Sequence, residues 1–153
     1  IYGLYVNTNI ESTSSAKVAG LFNGGSLLQT PGKPTYIGGA DEQDNNVGIA
    51  NMNDVFVSGR YAYVVKDTDS GTCSTSDRSG CELQIYDVSL PSSPTFKGGV
   101  NTATITTQVV VAGKYAYVVK NGVTTACNST SALTGCELMV FDISDPARPT
   151  YVS

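Results

Sequence analysis

Two long stretches of this chain are near copies of each other. Residues 54–66 read DVFVSGRYAYVVK and residues 108–120 read QVVVAGKYAYVVK, so Gly59, Tyr61 and Lys66 recur as Gly113, Tyr115 and Lys120 at a constant offset of 54. After one inserted residue, Cys81-Glu82-Leu83-Gln84-Ile85-Tyr86-Asp87-Val88-Ser89 lies over Cys136-Glu137-Leu138-Met139-Val140-Phe141-Asp142-Ile143-Ser144, and Pro91, Pro94 and Thr95 lie over Pro146, Pro149 and Thr150. A fixed period of several tens of residues describes like units that bury their apolar faces by stacking on each other. A third, degraded copy precedes them, because Pro31-Gly32-Lys33-Pro34-Thr35-Tyr36-Ile37-Gly38-Gly39 matches Pro91-Ser92-Ser93-Pro94-Thr95-Phe96-Lys97-Gly98-Gly99. Only the last strand of that copy is evident, and residues 1–28 would have to supply the rest.

Within each full repeat, turn residues punctuate short runs: Val55–Val57, a turn at Ser58-Gly59, Tyr61–Lys66, a polar loop, Glu82–Tyr86, a Pro-bounded turn and Thr95–Lys97. That predicts four antiparallel strands per unit. Charged residues make up only 14% of the chain, Gly, Thr, Val and Ser are abundant, and Tyr dominates the aromatics, which favours pleated, turn-rich structure over helices. The run Leu138-Met139-Val140-Phe141 is apolar at every position, so the expectation is burial on both faces, as for a blade between two neighbours. The predicted class is all-β, with β-propeller-type blades of four strands. Two full repeats and a partial one are an incomplete set, since propellers close with roughly four to eight blades. The chain also starts at Ile1, not Met, and stops just after a strand-like Thr150-Tyr151-Val152, so a longer parent chain is expected.

Leu83-Gln84-Ile85-Tyr86-Asp87 and Leu138-Met139-Val140-Phe141-Asp142 resemble the L-x-[IV]-x-D core of LVIVD repeats. The upstream G-x-YAYVV and the downstream D-[VI]-S-x-P-x-x-P-T are similar to that family too, over about Gly38 to Ser153. The resemblance implies a β-propeller scaffold of bacterial and archaeal surface or secreted proteins, with no shared catalytic residues. The chain departs from the usual pattern in its long Cys-bearing loops. Residues 29–153 are therefore read as the propeller blades, with full repeats at about 54–100 and 108–153. Residues 1–28 form a separate part: Tyr2-Gly3-Leu4-Tyr5-Val6-Asn7 and Ala19-Gly20-Leu21-Phe22-Asn23-Gly24 resemble bacterial surface and phage-tail fibre repeats, and a partial blade with a Gly-Gly turn fits them equally well.

The residues that could carry chemistry are few. Nine basic and thirteen acidic residues give a net charge of −4, and no Lys/Arg run exists to neutralise a phosphate backbone, so nucleic acid is not an expected partner. No apolar stretch approaches the roughly 20 residues that span a bilayer as a helix. Histidine is absent, which removes the commonest general base and metal ligand. Four cysteines allow three pairings, and repeat symmetry favours Cys73–Cys81 and Cys127–Cys136, each closing its own Ser/Thr-rich loop. Such bonds persist in oxidising compartments, which places the chain outside the cell or on its surface.

Asp87 and Asp142 are matched acids at a strand end before a Ser and a Pro, read as acceptors for turn N–H groups, not as catalytic groups. Glu82 and Glu137 are expected on exposed strand starts. Tyr61, Tyr63, Tyr115 and Tyr117 are expected to pack within or between blades. Calcium is the one cofactor in view: Asp67 and Asp69 stand at alternate positions before Gly71, although the distal Glu of a calcium loop is missing, and residues 41–46 form a second acidic loop. Asn128-Ser129-Thr130 is a glycosylation sequon inside the second Cys loop. Together these residues predict a non-catalytic extracellular module for structure, adhesion or assembly within a larger surface protein or appendage. Its expected partners are other blades of the parent chain, copies of itself, a glycan or a surface protein. The rival is a propeller that binds carbohydrate or calcium on its loops.

Overall fold

The computed structural model describes residues 33–40, 51–67, 71–76, 78–121, 127 and 135–153. The chain divides into two compact units, residues 1–35 and 36–153. The first is described only at 33–35, so the expectations for residues 1–28 lie outside the described residues. All the strands among the described residues belong to the second unit.

Among the described residues, eight strands form two four-stranded antiparallel sheets and no helix occurs. The first sheet contains β1 (Met52–Ser58), β2 (Tyr61–Lys66), β3 (Leu83–Asp87) and β4 (Thr95–Val100), in that order; the second contains β5 (Thr106–Ala112), β6 (Tyr115–Lys120), β7 (Leu138–Asp142) and β8 (Thr150–Tyr151). Each sheet is a meander of neighbours in sequence, as short connections favour. The hairpin turns Gly59-Arg60 and Gly113-Lys114 need a left-handed first residue, and both glycines supply it, at φ 58° and 60°. The shared Gly-x-Tyr-Ala-Tyr-Val-Val-Lys segment thus codes a turn followed by the second strand of a blade.

Strand alternation gives each sheet two apolar faces. On one, here the front, cross-strand neighbours Tyr63 and Ile85, and Val65 and Leu83, lie side by side in the first sheet; their counterparts in the second are Tyr117 with Val140, and Val119 with Leu138. The opposite face, the back, carries Val55, Val57, Ala62, Val64 and Tyr86 in the first sheet, and Val109, Val111, Ala116, Val118, Met139 and Phe141 in the second. One hydrophobic core joins the front of the first sheet to the back of the second. Edge-on aromatic pairs brace the outer strands of both sheets, Tyr86 with Phe96 and Phe141 with Tyr151, at 5.6 and 5.8 Å between ring centroids.

The front-to-back packing leaves matched residues in opposite environments. Leu83 is fully buried, whereas its counterpart Leu138 is 58% exposed; Val111 is 8% exposed, whereas its counterpart Val57 is 60% exposed. Burial on both faces of the apolar β7 run therefore does not hold. Met139 and Phe141 are buried under the first sheet, but Leu138 is open, because among the described residues no sheet covers that front. All five residues of β3 are buried.

The partial third copy also differs from expectation. Residues 33–40 form no strand, and Tyr36 and Ile37 are exposed, since no described strand lies beside them to complete a ladder. The placement of residues 36–40 is nonetheless that of a blade's fourth strand. A Cβ on Gly98 of β4 would come within 2.6 Å of the Pro146 carbonyl oxygen in the second sheet's turn. A Cβ on Gly38 would come within 2.6 Å of Ser92 Cα and 2.7 Å of the Pro91 carbonyl, in the matching turn of the first sheet. Residues 36–40 thus lie against the first sheet as β4 lies against the second.

Backbone oxygens move only with their sheet, so Gly98→Ala should force the two sheets apart. The expected loss is about 1–3 kcal/mol of stability, measured by urea denaturation; an unchanged midpoint would show that the sheets do not approach as described.

Candidate interaction faces at the sheet-to-sheet joint

The joint is stapled by polar groups at one end of the sheets. Asn53 of β1 donates to the Thr106 carbonyl of β5 at 2.6 Å, and the Val109 N–H donates to Asp54 Oδ2 at 3.0 Å. The Thr106 hydroxyl plugs the end of the first sheet, donating to the Lys66 carbonyl at 2.8 Å while accepting the Lys66 N–H at 3.2 Å. Glu82 accepts the Thr102 N–H at 2.6 Å, which pins the β4–β5 connection. Lys120 of the second sheet reaches the Thr102 carbonyl at 3.4 Å. Burial pushes the Lys120 ammonium below its ordinary pKa, against the opposing pull of Glu137 and Glu82.

Several of these residues escaped sequence reasoning. Glu82 was expected on an exposed strand start and is fully buried, because the linker after β4 folds over it; its counterpart Glu137 is exposed. Lys66 and Lys120 are buried as well. The available signal was their identity in both copies, at the end of an otherwise apolar run.

The two matched aspartates sit at the opposite corner of each sheet. Asp87 Oδ1 accepts the Ser89 N–H at 3.0 Å and the Ser89 hydroxyl at 2.6 Å, and Oδ2 accepts a charge-assisted bond from Arg60. Asp142 Oδ1 accepts the Ser144 N–H at 2.9 Å, and Oδ2 pairs with Lys114 at 3.0 Å. Each acid ties the turn after its strand to the hairpin turn two strands back in sequence. Arg60, then Ser89, hold the Asp87 carboxyl far below the usual carboxylate range. Ser144, then Lys114, hold that of Asp142 at about 2.

Cys73 and Cys81 are joined, as are Cys127 and Cys136, with Cα atoms 4.4 and 4.3 Å apart. In the first loop Arg78 takes a left-handed conformation, φ 63°, and lays its guanidinium over the rings of Tyr86 and Phe96, at 5.8 and 5.5 Å. Of the four tyrosines, Tyr63 is buried, Tyr61 and Tyr115 are half-buried, and Tyr117 lies on the open front.

Asp67 accepts from the Asn51 and Asn53 amides at 2.8 and 2.9 Å, which lower its pKa, Asn53 the more. Asp69, residues 41–46 and Asn128 lie outside the described residues. Among the described residues no three His, Cys, Asp or Glu side chains converge, and no helix is long and apolar enough to cross a membrane. These residues assemble two apolar faces with polar edges, suited to receiving another sheet.

A protein-family model described as the LVIVD repeat matches residues 50–70, 79–102, 104–124 and 132–153, more than half of the chain. Its four stretches fall on β1–β2, β3–β4, β5–β6 and β7–β8, two to a sheet. A comparison with curated proteins gave no match.

The Asp142 carboxyl predicts an acid limb of definite sign. Folding lowers its pKa from 3.8 to about 2, so its stabilisation is present above the unfolded value and is lost as pH falls through the folded one. Melting temperature should fall between about pH 4 and pH 2, and Asp142→Asn should both flatten that limb and lower the melting temperature by a few degrees at neutral pH. A variant with the wild-type acid limb would contradict the assignment.

Proposed function

The chain belongs to the LVIVD-repeat family, and on that premise we propose that it is a non-catalytic structural or interaction module of a larger extracellular or cell-surface protein. The observation that carries this reading is the joint itself. One front is closed by the back of the next sheet, and an equivalent front, with Tyr117, Val119 and Leu138, stays open to water. Exposed apolar faces of this kind, rimmed by polar groups, mark surfaces that receive a partner. Two loop-closing disulfides support an oxidising environment. The absence of histidine from the sequence and the engagement of Asp87 and Asp142 in turns support a scaffold whose acids are structural. A surface module of this kind works by presenting faces and loops on a rigid frame: adhesion or assembly, not turnover.

Calcium calorimetry and a glycan array on the oxidised chain test this reading. It predicts no saturable calcium isotherm, and one would favour a loop-based binding protein instead; the glycan array separates adhesion, which gives a defined glycan set, from architecture, which gives none. Peptide mapping of material from its native source, under non-reducing conditions, should find Cys73 linked to Cys81 and Cys127 to Cys136. Reduction should cost about 2–3 kcal/mol of stability per bridge, and free thiols in native material would contradict the extracellular placement.

A further inference from the structure

The back of the first sheet holds a cavity lined by Ala40, Met52, Ala62, Val64, Tyr86, Val88 and Pro94. Every lining residue has a counterpart in the closed joint. Ala62, Val64, Tyr86, Val88 and Pro94 stand where Ala116, Val118, Phe141, Ile143 and Pro149 stand in the second sheet, Met52 stands where Thr106 does, and Ala40 stands where Val100 does. In the joint those positions on the second sheet are filled by the front of the first, through Tyr63, Val65, Leu83 and Ile85. The cavity is therefore half of a joint. The same chain displays the other half: the open front of the second sheet carries Tyr117, Val119, Leu138 and Val140 at the four matching positions.

Resting on the scaffold reading above, we infer that a second copy of this chain is the occupant, docking head to tail with the front of its second sheet in the half-joint on the back of the first. The contact repeats one the chain already makes, with apolar residues of the same kinds in the same places. The rims Val55 and Val57 on the receiving side, and Val110 and Leu138 on the entering side, are exposed in the single chain and are covered in the pair. Because the two faces differ, the contact is heterologous, and it propagates along a row of copies unless its rotation closes a ring.

One strand slot decides the details. Residues 36–40 already occupy the fourth-strand position on the first sheet, with Gly38 against the Pro91–Ser92 turn. An incoming second sheet would bring β8 to the same place, with Ser153 at the position of Gly38, where a Cβ collides with backbone. β8 holds β7 through Thr150 and Tyr151 and through backbone bonds between Val140 and residues 152–153, but the Ser153 side chain cannot share the place of Gly38, so β8 is the strand that yields. The docked sheet then takes its fourth strand from its host: residues 36–39, outside any sheet in the single chain and with Tyr36 and Ile37 exposed, pair beside β7. This is strand addition to a sheet edge, with Gly38 supplying the glycine that β4 has at Gly98 and that Ser153 replaces after β8.

Sedimentation of the oxidised chain across a concentration series into the hundreds of micromolar tests the inference. The expected result is growth in mass beyond a dimer. Leu138→Lys blocks the entering face and Val57→Lys the receiving face; both positions are exposed in the single chain, and retained cooperative melting confirms the fold of each variant. Either variant alone should stay monomeric, and an equimolar mixture should form a dimer of one copy each and nothing larger. A wild-type chain that is monomeric throughout overturns the inference by itself, even if a variant fails to fold, as does either variant alone assembling like the wild type. Removing residues 150–153 should leave association intact or strengthen it, and its loss in a folded truncation overturns the strand addition. A monomeric wild type that binds neither calcium nor glycan and keeps both disulfides leaves the scaffold reading standing.

Discussion

The structure depends on the packing of one sheet's front on the next sheet's back. A four-stranded meander with apolar residues on both faces has no stable solution alone, because whichever face is uncovered exposes valine, leucine and tyrosine to water. Stacking two such sheets covers one front and one back and leaves one of each. The hydrophobic area at stake fixes the spacing, and small details follow from that spacing: glycine at position 98 because a turn's carbonyl lies where its Cβ would be, and threonine at 106 because a hydroxyl there joins the Lys66 N–H and carbonyl at once.

Polar groups at the joint set its register, since apolar contact alone has no direction. The Asp54 and Asn53 bonds to β5 and the Glu82 bond to the linker fail if one sheet slides by a residue. Lys120 contributes in the same way, its stem packed in the joint and its ammonium held at Thr102 near the field of Glu82. At the opposite corner the Asp87 and Asp142 clusters act within one sheet each, closing a turn against a hairpin. Position along the strand thus separates residues that hold a blade together from residues that hold blades to each other.

Much of this was legible in the sequence. The repeat alone predicts two sheets of four strands, and the observed strands contain or closely overlap the predicted runs, most of them extending by a residue or more where ladder pairing continues into the flanks. The cysteine pairs follow from symmetry. Environment was harder to read, because two copies with the same pattern end up in different surroundings: Leu83 and Leu138 are the same residue at the same strand position, and only the number of neighbouring sheets separates them. The same reason hid Glu82, whose cover comes from the following linker, and the buried lysines, whose side chains are charged by type and enclosed only by tertiary contact. The fourth-strand motif at residues 34–39 was recognisable, yet a strand needs a neighbour, which a motif cannot supply.

Hydroxyl-radical footprinting of the dilute chain, read by mass spectrometry at repeat-matched pairs, tests the front-to-back stack most directly. Tyr63 and Tyr117, and likewise Leu83 and Leu138, share chemistry and local sequence and differ only in whether a sheet lies over them. The account predicts strong oxidation of Tyr117 and Leu138 with protection of Tyr63 and Leu83. Equal reactivity within each pair would contradict it, for it would mean either that the two sheets do not stack or that both fronts are covered.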